Sequence, residues 1–351
     1  MTAADRIDRR FAKLLVADAD GAISHLPRAA LASLFRPGDL VVANDAATLP
    51  ASLQGVHRST GEPIEARLAG WLSFRDPLRF VAVAFGAGDH RVPTEDRPSP
   101  PPLSADDQLE FGPLSASVEG SLDHPRLVHI RFAGSPASVM RDLVRHGRPI
   151  QYAHIPEPLR LRDVWTKIAA DPIAFEPPSA GFALDWRTLK GWRERGVAFA
   201  TLSHAAGLSS TGDAALDRRL PFDEYYRIPE ACAATIEAAK SRSARVIAIG
   251  TSVVRALESA VNADGTVRAG EGRASGRIAH GARLRVVDAI LTGVHQPGES
   301  HYELLRAFAD DRVLNNVRAA VEDRDYRAHE LGDSLLIERQ GAPRRLVSIR
   351  R

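Results

Sequence analysis

The stretch Arg245-Val-Ile-Ala-Ile-Gly-Thr-Ser-Val-Val-Arg255 constrains this chain more than any other. Its aliphatic run reads as a buried strand. Gly250 ends the run, and hydroxyl residues open a helix expected to reach about Asn262, with Thr251 or Ser252 as its cap. The free N–H groups of a helix start, with the dipole behind them, favour a carboxylate or phosphate. Gly250 lets a ligand approach the backbone, and Arg255 and Glu258 follow about one and two turns into the helix. An ordinary capped strand-to-helix turn has the same local sequence, because short glycine motifs recur often.

From about residue 148 onward, strand and helix patterns alternate. Helices are expected at 186–195, preceded by Asp185 and closed by Gly196, at Glu230–Ser241 and at 312–322. Strands are expected at 197–202, 245–249, 284–291 and Ser334–Glu338. Ser300-His-Tyr-Glu303 reads as a capping box before an apolar helix at 304–308. Near the amino end, an apolar run at 11–17 and a turn at Asp18-Ala-Asp-Gly21 precede a strand to His25. A helix at 27–35 and a buried strand at 40–43 follow.

The segment 62–147 differs in texture. Short β-type runs at 64–72, 78–85, 114–119 and Leu127–Phe132 are separated by turn residues, as in a small all-β module. Pro98-Ser-Pro-Pro-Pro102 cannot continue a sheet and reads as a mobile loop, and 137–146 looks helical. The ordering predicts one α/β (α+β) domain built from 1–61 and 148–351, interrupted by a β module at 62–147.

Bulk properties bound the partners. The 351 residues are enough for two domains with a core that needs no disulfides. Lys and Arg number 46 against 44 Asp and Glu, a net charge of +2, which permits a polyanionic partner without demanding one. The basic residues look dispersed. The densest groups, Arg6, Arg9 and Arg10 and then Arg344, Arg345, Arg350 and Arg351, read as solvated termini. The one cysteine, Cys232, excludes an intrachain disulfide, fits a reducing, cytoplasmic setting and is read as a small buried helix residue. No membrane-spanning run or leader pattern is seen, so no membrane partner is expected, and a monomer is favoured.

Further stretches carry polar groups at strand ends, where open α/β sheets bind ligands. In Asp288-Ala-Ile-Leu-Thr-Gly-Val-His-Gln-Pro-Gly-Glu-Ser300, His295 is suited to proton transfer and Glu299 to holding a hydroxyl or amine. The same residues also fit a surface loop and an electrostatically favoured helix start. Glu176-Pro-Pro-Ser-Ala-Gly-Phe182 is a stiff loop, Leu202-Ser-His-Ala-Ala-Gly207 a strand end with a histidine. Phe222-Asp-Glu-Tyr-Tyr226 offers Glu224 and Tyr225 to a ribose. Each alone is a common turn. No Ser-His-Asp spacing, Walker loop or paired-histidine motif occurs, so metal chemistry is not expected.

Taken in order, these segments resemble the S-adenosylmethionine:tRNA ribosyltransferase-isomerase family of the queuosine pathway. The matching stretches are Arg36-Pro-Gly-Asp-Leu-Val-Val-Ala-Asn-Asp45 with Leu49-Pro-Ala51, Pro178-Ser-Ala-Gly181, Asp223-Glu-Tyr225, Ile249-Gly-Thr-Ser-Val-Val-Arg-Ala-Leu-Glu-Ser259, Val287-Asp-Ala-Ile-Leu-Thr292 with His295 and Pro297, and Gly332-Asp333. The resemblance implies an α/β domain interrupted by a small β-barrel. It also implies a reaction in which S-adenosylmethionine, a substrate, donates its rearranged ribose to the amine of a deazaguanine base in tRNA, and adenine and methionine leave.

Carried over by position, Gly250, Thr251, Ser252, Arg255 and Glu258 are implied to bind S-adenosylmethionine. His295, Asp288 and Glu224 are implied for acid–base or polar roles, and Ser179, Gly181 and Tyr225 for the pocket wall. The sequence departs from the family pattern at several places. Ala46 and Ala47 replace a threonine and an arginine, Ser52 a second arginine and Ala183 a histidine. Ser203 displaces another histidine, with His204 beside it, and Gly293-Val-His-Gln-Pro297 replaces Asn-Phe-His-Leu-Pro. The departures leave open a paralogue that uses S-adenosylmethionine without tRNA, or a binding protein that keeps only the fold.

Overall fold

The computed structural model describes residues 2–4, 12–329 and 331–341. The arginine groups at the two ends, Arg6 to Arg10 and Arg344 to Arg351, lie outside these residues.

A nine-stranded mixed sheet forms the centre of the larger unit. Its order is Gly270–Ala274, Glu224–Ile228, Ala198–His204, Leu40–Asn44, Val246–Ile249, Ala289–Gly293, Ser334–Glu338, Lys13–Ala17 and Ile23–Pro27. Four neighbours, from Ala198–His204 to Ala289–Gly293, run parallel. Leu40–Asn44 and Val246–Ile249 are buried throughout, because helices cover both faces of the sheet. On one face lie Glu230–Ser241, Thr251–Ser259, Ser300–Leu305 and Asp311–Asp323. On the other lies Trp186–Glu194, whose Trp192 is fully buried against Leu31, Phe35 and Leu184. Each fully buried Val, Ile or Leu in these layers contributes about 1.5–3 kcal/mol.

The second unit is a closed six-stranded barrel: Leu114–Ser121, Leu127–Phe132, Arg79–Phe85, Pro63–Trp71, Ser52–His57 and Gln108–Phe111. It begins with Ser52–His57, before position 62. Gln54 and Gly55 weaken the β pattern there, so this strand escapes a reading by apolar runs. Ser52 and Arg148 exchange backbone hydrogen bonds at 2.9 Å, which places the entry and exit of the barrel side by side. The barrel's apolar cluster continues into Phe175, Ala205 and Leu208 of the α/β unit, so the two units share one core. Against the Phe85 ring of that cluster, Glu65 pairs with Arg67 at 2.8 Å and with Arg97, all buried.

Several local expectations change. The helix expected at 27–35 is a 3₁₀ turn, Arg28–Ala30, followed by Leu31–Leu34. The helix after Gly250 ends at Ser259, and its N-cap is Gly250 itself, with no side-chain cap. The strand expected at 284–291 is paired only as Ala289–Gly293. Val286 and Val287 are buried, but their N–H groups donate to the Glu258 carboxylate at 3.0 Å instead of to a neighbouring strand. Ser300 does not cap: the helix starts there after Glu299, and no capping box forms. The proline run forms no strand, and its start is tied down by a 2.9 Å bond from Gly86 N–H to Pro98 O.

Candidate functional site

The carboxyl ends of the four parallel strands open into a cleft of about 730 Å³. Open α/β sheets bind ligands at this edge. The barrel contributes Thr94 and Glu95 to one wall, and His329, from the turn before the last strand, lies opposite in sequence but in the same lining.

The strand Val246–Ile249 delivers Gly250, Thr251 and Ser252 to the cleft. Gly250 has φ +96° and ψ 154°, a region that side chains other than hydrogen rarely enter. An added Cβ would also sit 3.4 Å from Ala180 Cβ. With no side chain capping the helix, its first N–H groups are left for a ligand or water. Asn44 Nδ2 reaches Ser252 Oγ at 3.4 Å.

Glu224 lines the cleft and is held on both oxygens. Oε1 accepts Gly207 N–H at 2.6 Å and Oε2 accepts Arg255 Nε at 3.1 Å. Arg255 spends its other donors on the carbonyls of Gly276, Phe222 and Ala274 at 2.6–3.2 Å. It therefore ties the antiparallel edge of the sheet to the helix and is already satisfied by the protein. Behind Glu224, 3.5 Å from Oε2, stands Nε2 of the fully buried His204. Burial holds the His204 imidazole down at about 4; the Glu224 charge opposes this and the Arg255 charge assists it.

The loop after Ala289–Gly293 carries His295 and Glu299. His295 Nδ1 lies 3.3 Å from Glu299 Oε2, and Nε2 lies 3.2 Å from Thr292 Oγ1. A carboxylate only accepts, so this network puts the proton on Nδ1 and leaves Nε2 to accept from the threonine hydroxyl. Burial pushes the Glu299 carboxyl up. The hydrogen bond and charge of His295 and the Gln296 N–H outweigh it, and the group sits below its ordinary value. The His301 ring stacks on His295 with centroids 4.7 Å apart.

Across the cleft, Tyr152 donates its hydroxyl to the buried Glu176, whose other oxygen accepts Ser209 N–H at 3.1 Å. Burial and the adjacent Glu176 carboxylate push the Tyr152 phenol up, so it remains a donor. The His154 ring lies between Tyr152 and His329 in a column of near-parallel rings, with His329 5.0 Å away.

Of the residues picked out in the sequence, Ser179, Glu224, Gly250, Thr251, Ser252, Arg255, His295 and Glu299 line this cleft. Four others stand elsewhere. Asp288 lies at the amino end of its strand, the edge away from the cleft, where it accepts Val246 N–H and Arg339. Glu258 faces the far end of its helix and captures the N–H groups of 285–287. Tyr225 alternates away from Glu224, donates to Leu72 O at 2.9 Å and packs on Phe74 of the barrel unit. Gly181 packs against Thr166 behind Ser179.

The departures from the family pattern also find their places. Ala46 and Ala47 are buried in the short strand Ala46–Thr48 beside Asp171–Ala174. Ser52 Oγ donates to Glu65. Ser203 and His204 point to opposite sides of their strand: Ser203 to Asp45 at 2.7 Å, His204 to Glu224. His204 thus faces the side of the strand opposite to Ser203. Reading by motif missed Tyr152, His154, Thr292, His301 and His329 as cleft residues. Thr292 and His301 flank His295 closely, and that proximity was the available signal; His154 and His329 carry none. Among the described residues no group of three or more His, Cys, Asp or Glu is placed to hold a metal ion. No helix among them is long and apolar enough to cross a membrane.

The family model described as "Queuosine biosynthesis protein" matches residues 2–337. An S-adenosylmethionine:tRNA ribosyltransferase-isomerase from Sorangium cellulosum is 34% identical over 96% of this chain and 94% of its own length. Its namesake from Gloeobacter violaceus is 32% identical over 94% and 90%. A crystal structure of an S-adenosylmethionine tRNA ribosyltransferase from Thermotoga maritima aligns over 96% of this chain and 95% of that one, with 20% identity and a TM-score of 0.48. The chain belongs to the queuosine biosynthesis protein family.

Proposed function

We propose that this chain transfers and isomerises the ribosyl moiety of S-adenosylmethionine onto a 7-aminomethyl-7-deazaguanine base in tRNA, giving epoxyqueuosine with release of adenine and methionine. The observation that carries this reading is the family match over residues 2–337, whose glycine-hydroxyl and histidine segments converge on one cleft at the strand ends.

The chemistry asks for a base near C5′, where the sulfonium acidifies the hydrogens, a proton donor for departing adenine, and a pocket that fixes the geometry. His295, oriented on both ring nitrogens by Thr292 and Glu299, is the residue built to move a proton. The uncapped helix start at Thr251 and Ser252 suits the methionine carboxylate. Glu224, held by Arg255 and Gly207, is a fixed acceptor for ribose hydroxyls. In this reading the enzyme works as a cytoplasmic monomer.

A second reading, cleavage of S-adenosylmethionine without an RNA acceptor, is favoured by one feature: Ala46, Ala47 and Ser52 stand where the family carries a threonine and two arginines. Adenine and methionine release, measured with and without precursor tRNA bearing the aminomethyl group, separates the two. Release only with that tRNA supports the transferase. Equal release without it supports the second reading, and no release despite confirmed binding of S-adenosylmethionine sinks both.

A further inference from the structure

The fold gathers arginines that the sequence scatters. Arg277 lines the cleft, and its Nη2 donates to Asp217 O at 3.1 Å, which joins the loop 275–283 to the turn that follows the short helix Ala214–Asp217. That turn carries Arg218 and Arg219, both exposed. Positions far apart in sequence therefore meet at one lip of the cleft.

Three acids on these segments are already engaged, whereas the exposed Glu95 lines the same cleft. Asp223 is paired with Arg273, Asp217 accepts the Thr211 N–H and hydroxyl, and Glu258 accepts three backbone N–H groups. Arg285 is occupied with the carbonyls of Asn262 and Ala263. Arg218 and Arg219, by contrast, make no ion pair with any described residue. Unpaired, exposed guanidinium groups clustered beside a ligand cleft favour a partner with regularly spaced negative charge.

We propose that Arg218, Arg219 and Arg277 form the surface that receives the backbone phosphates of the RNA whose base enters the cleft. This rests on the reading above that the acceptor is RNA, and it adds where on this chain the RNA lies. Phosphate contacts of this kind set register and affinity without reading sequence. Each one lost makes the plot of log affinity against log salt shallower by about 0.7–0.9.

The test compares the full chain with Arg218→Gln/Arg219→Gln, leaving Arg277 in place because it holds two loops together. RNA hairpin binding is measured from about 50 to 200 mM salt, and S-adenosylmethionine binding is measured in parallel. We expect the double variant to bind the hairpin at least tenfold more weakly in low salt. Its salt slope should be shallower by about 1.5, with S-adenosylmethionine binding unchanged. The matching Arg→Lys variant should retain most RNA binding, because a phosphate accepts a point charge. Wild-type RNA affinity and slope in the double variant would overturn the surface while leaving the enzyme reading intact. Loss of S-adenosylmethionine binding alongside RNA binding, or no recovery with lysine, would also overturn it. A wild-type chain that neither binds the hairpin nor releases adenine in its presence would overturn both.

Discussion

Arg255 Nε donates to Glu224 Oε2 at 3.1 Å, with the two residues only 6% and 8% exposed. The pair is buried, and three carbonyls complete the arginine's hydrogen bonds, so removing one partner strands the other without water. Arg255→Ala is expected to destabilise the fold by about 3–5 kcal/mol, the range for breaking a buried ion pair. Arg255→Lys should recover only part of this, because an ammonium cannot serve Glu224 and three carbonyls in one plane. Denaturant unfolding of the three proteins checks it. Equal stability of wild type and Arg255→Ala would show that the pair is dispensable.

His204 gives stability a pH dependence of definite sign. Its ordinary value of 6.5 falls to about 4 in the folded protein, chiefly through burial. Between those values the unfolded chain binds a proton that the folded chain refuses. Stability therefore falls as pH drops from about 6.5 toward 4, by about 3 kcal/mol over the whole window at 1.36 kcal/mol per unit. His204→Gln should flatten the loss across this window. Urea midpoints at a series of pH values for both proteins measure it, and parallel curves would mean that His204 does not titrate as described.

Legibility followed how local the cause of each feature is. The strands Leu40–Asn44 and Val246–Ile249 announced themselves as apolar runs because both of their faces are covered. Glu230–Ser241 and Leu127–Phe132 were equally plain from pattern and turn residues. The run at 284–287 was legible as buried but not as unpaired, since its N–H groups go to Glu258, a partner 27 to 29 residues away. In the site, residues next to strand ends were visible from their motifs. Glu258 and Asp288 sit in the same motifs yet capture backbone N–H groups, and composition cannot distinguish an acid that binds a ligand from one that closes a loop. His154 and His329 come together only through tertiary packing, so no window of sequence contains their relationship.

Gly250→Ala tests whether the backbone at the strand end is itself part of the site. The residue's φ of +96° and ψ of 154° place it where residues other than glycine cost about 1–3 kcal/mol. The added methyl would also meet Ala180 at the cleft wall. The variant should therefore lose stability by that amount and lose S-adenosylmethionine affinity beyond what unfolding explains. Calorimetric titration at a temperature where the variant stays folded measures the second effect. Unchanged affinity there would remove Gly250 from the binding site while leaving its backbone role.

His295 and Glu299 carry the last prediction. If His295 moves the proton, His295→Ala should lower kcat by about 10²–10⁴-fold, the usual range for general acid–base groups. KM for S-adenosylmethionine should move little. Glu299→Gln keeps the shape but no longer fixes the proton on Nδ1, so it should cause a smaller loss of kcat and shift the pH optimum. The stability effect has the same sign as that of His204, a loss as pH falls, but lies in a lower window. Glu299 titrates below its ordinary 4.5 in the folded protein because the His295 contact and Gln296 N–H outweigh burial. Its contribution is then full at neutral pH and is lost as pH falls below about 4.5 toward the lowered folded value. Glu299→Gln should remove that acid-side loss and leave the His204 window unchanged. A kcat for His295→Ala within a factor of three of wild type would end the assignment of proton transfer to this histidine.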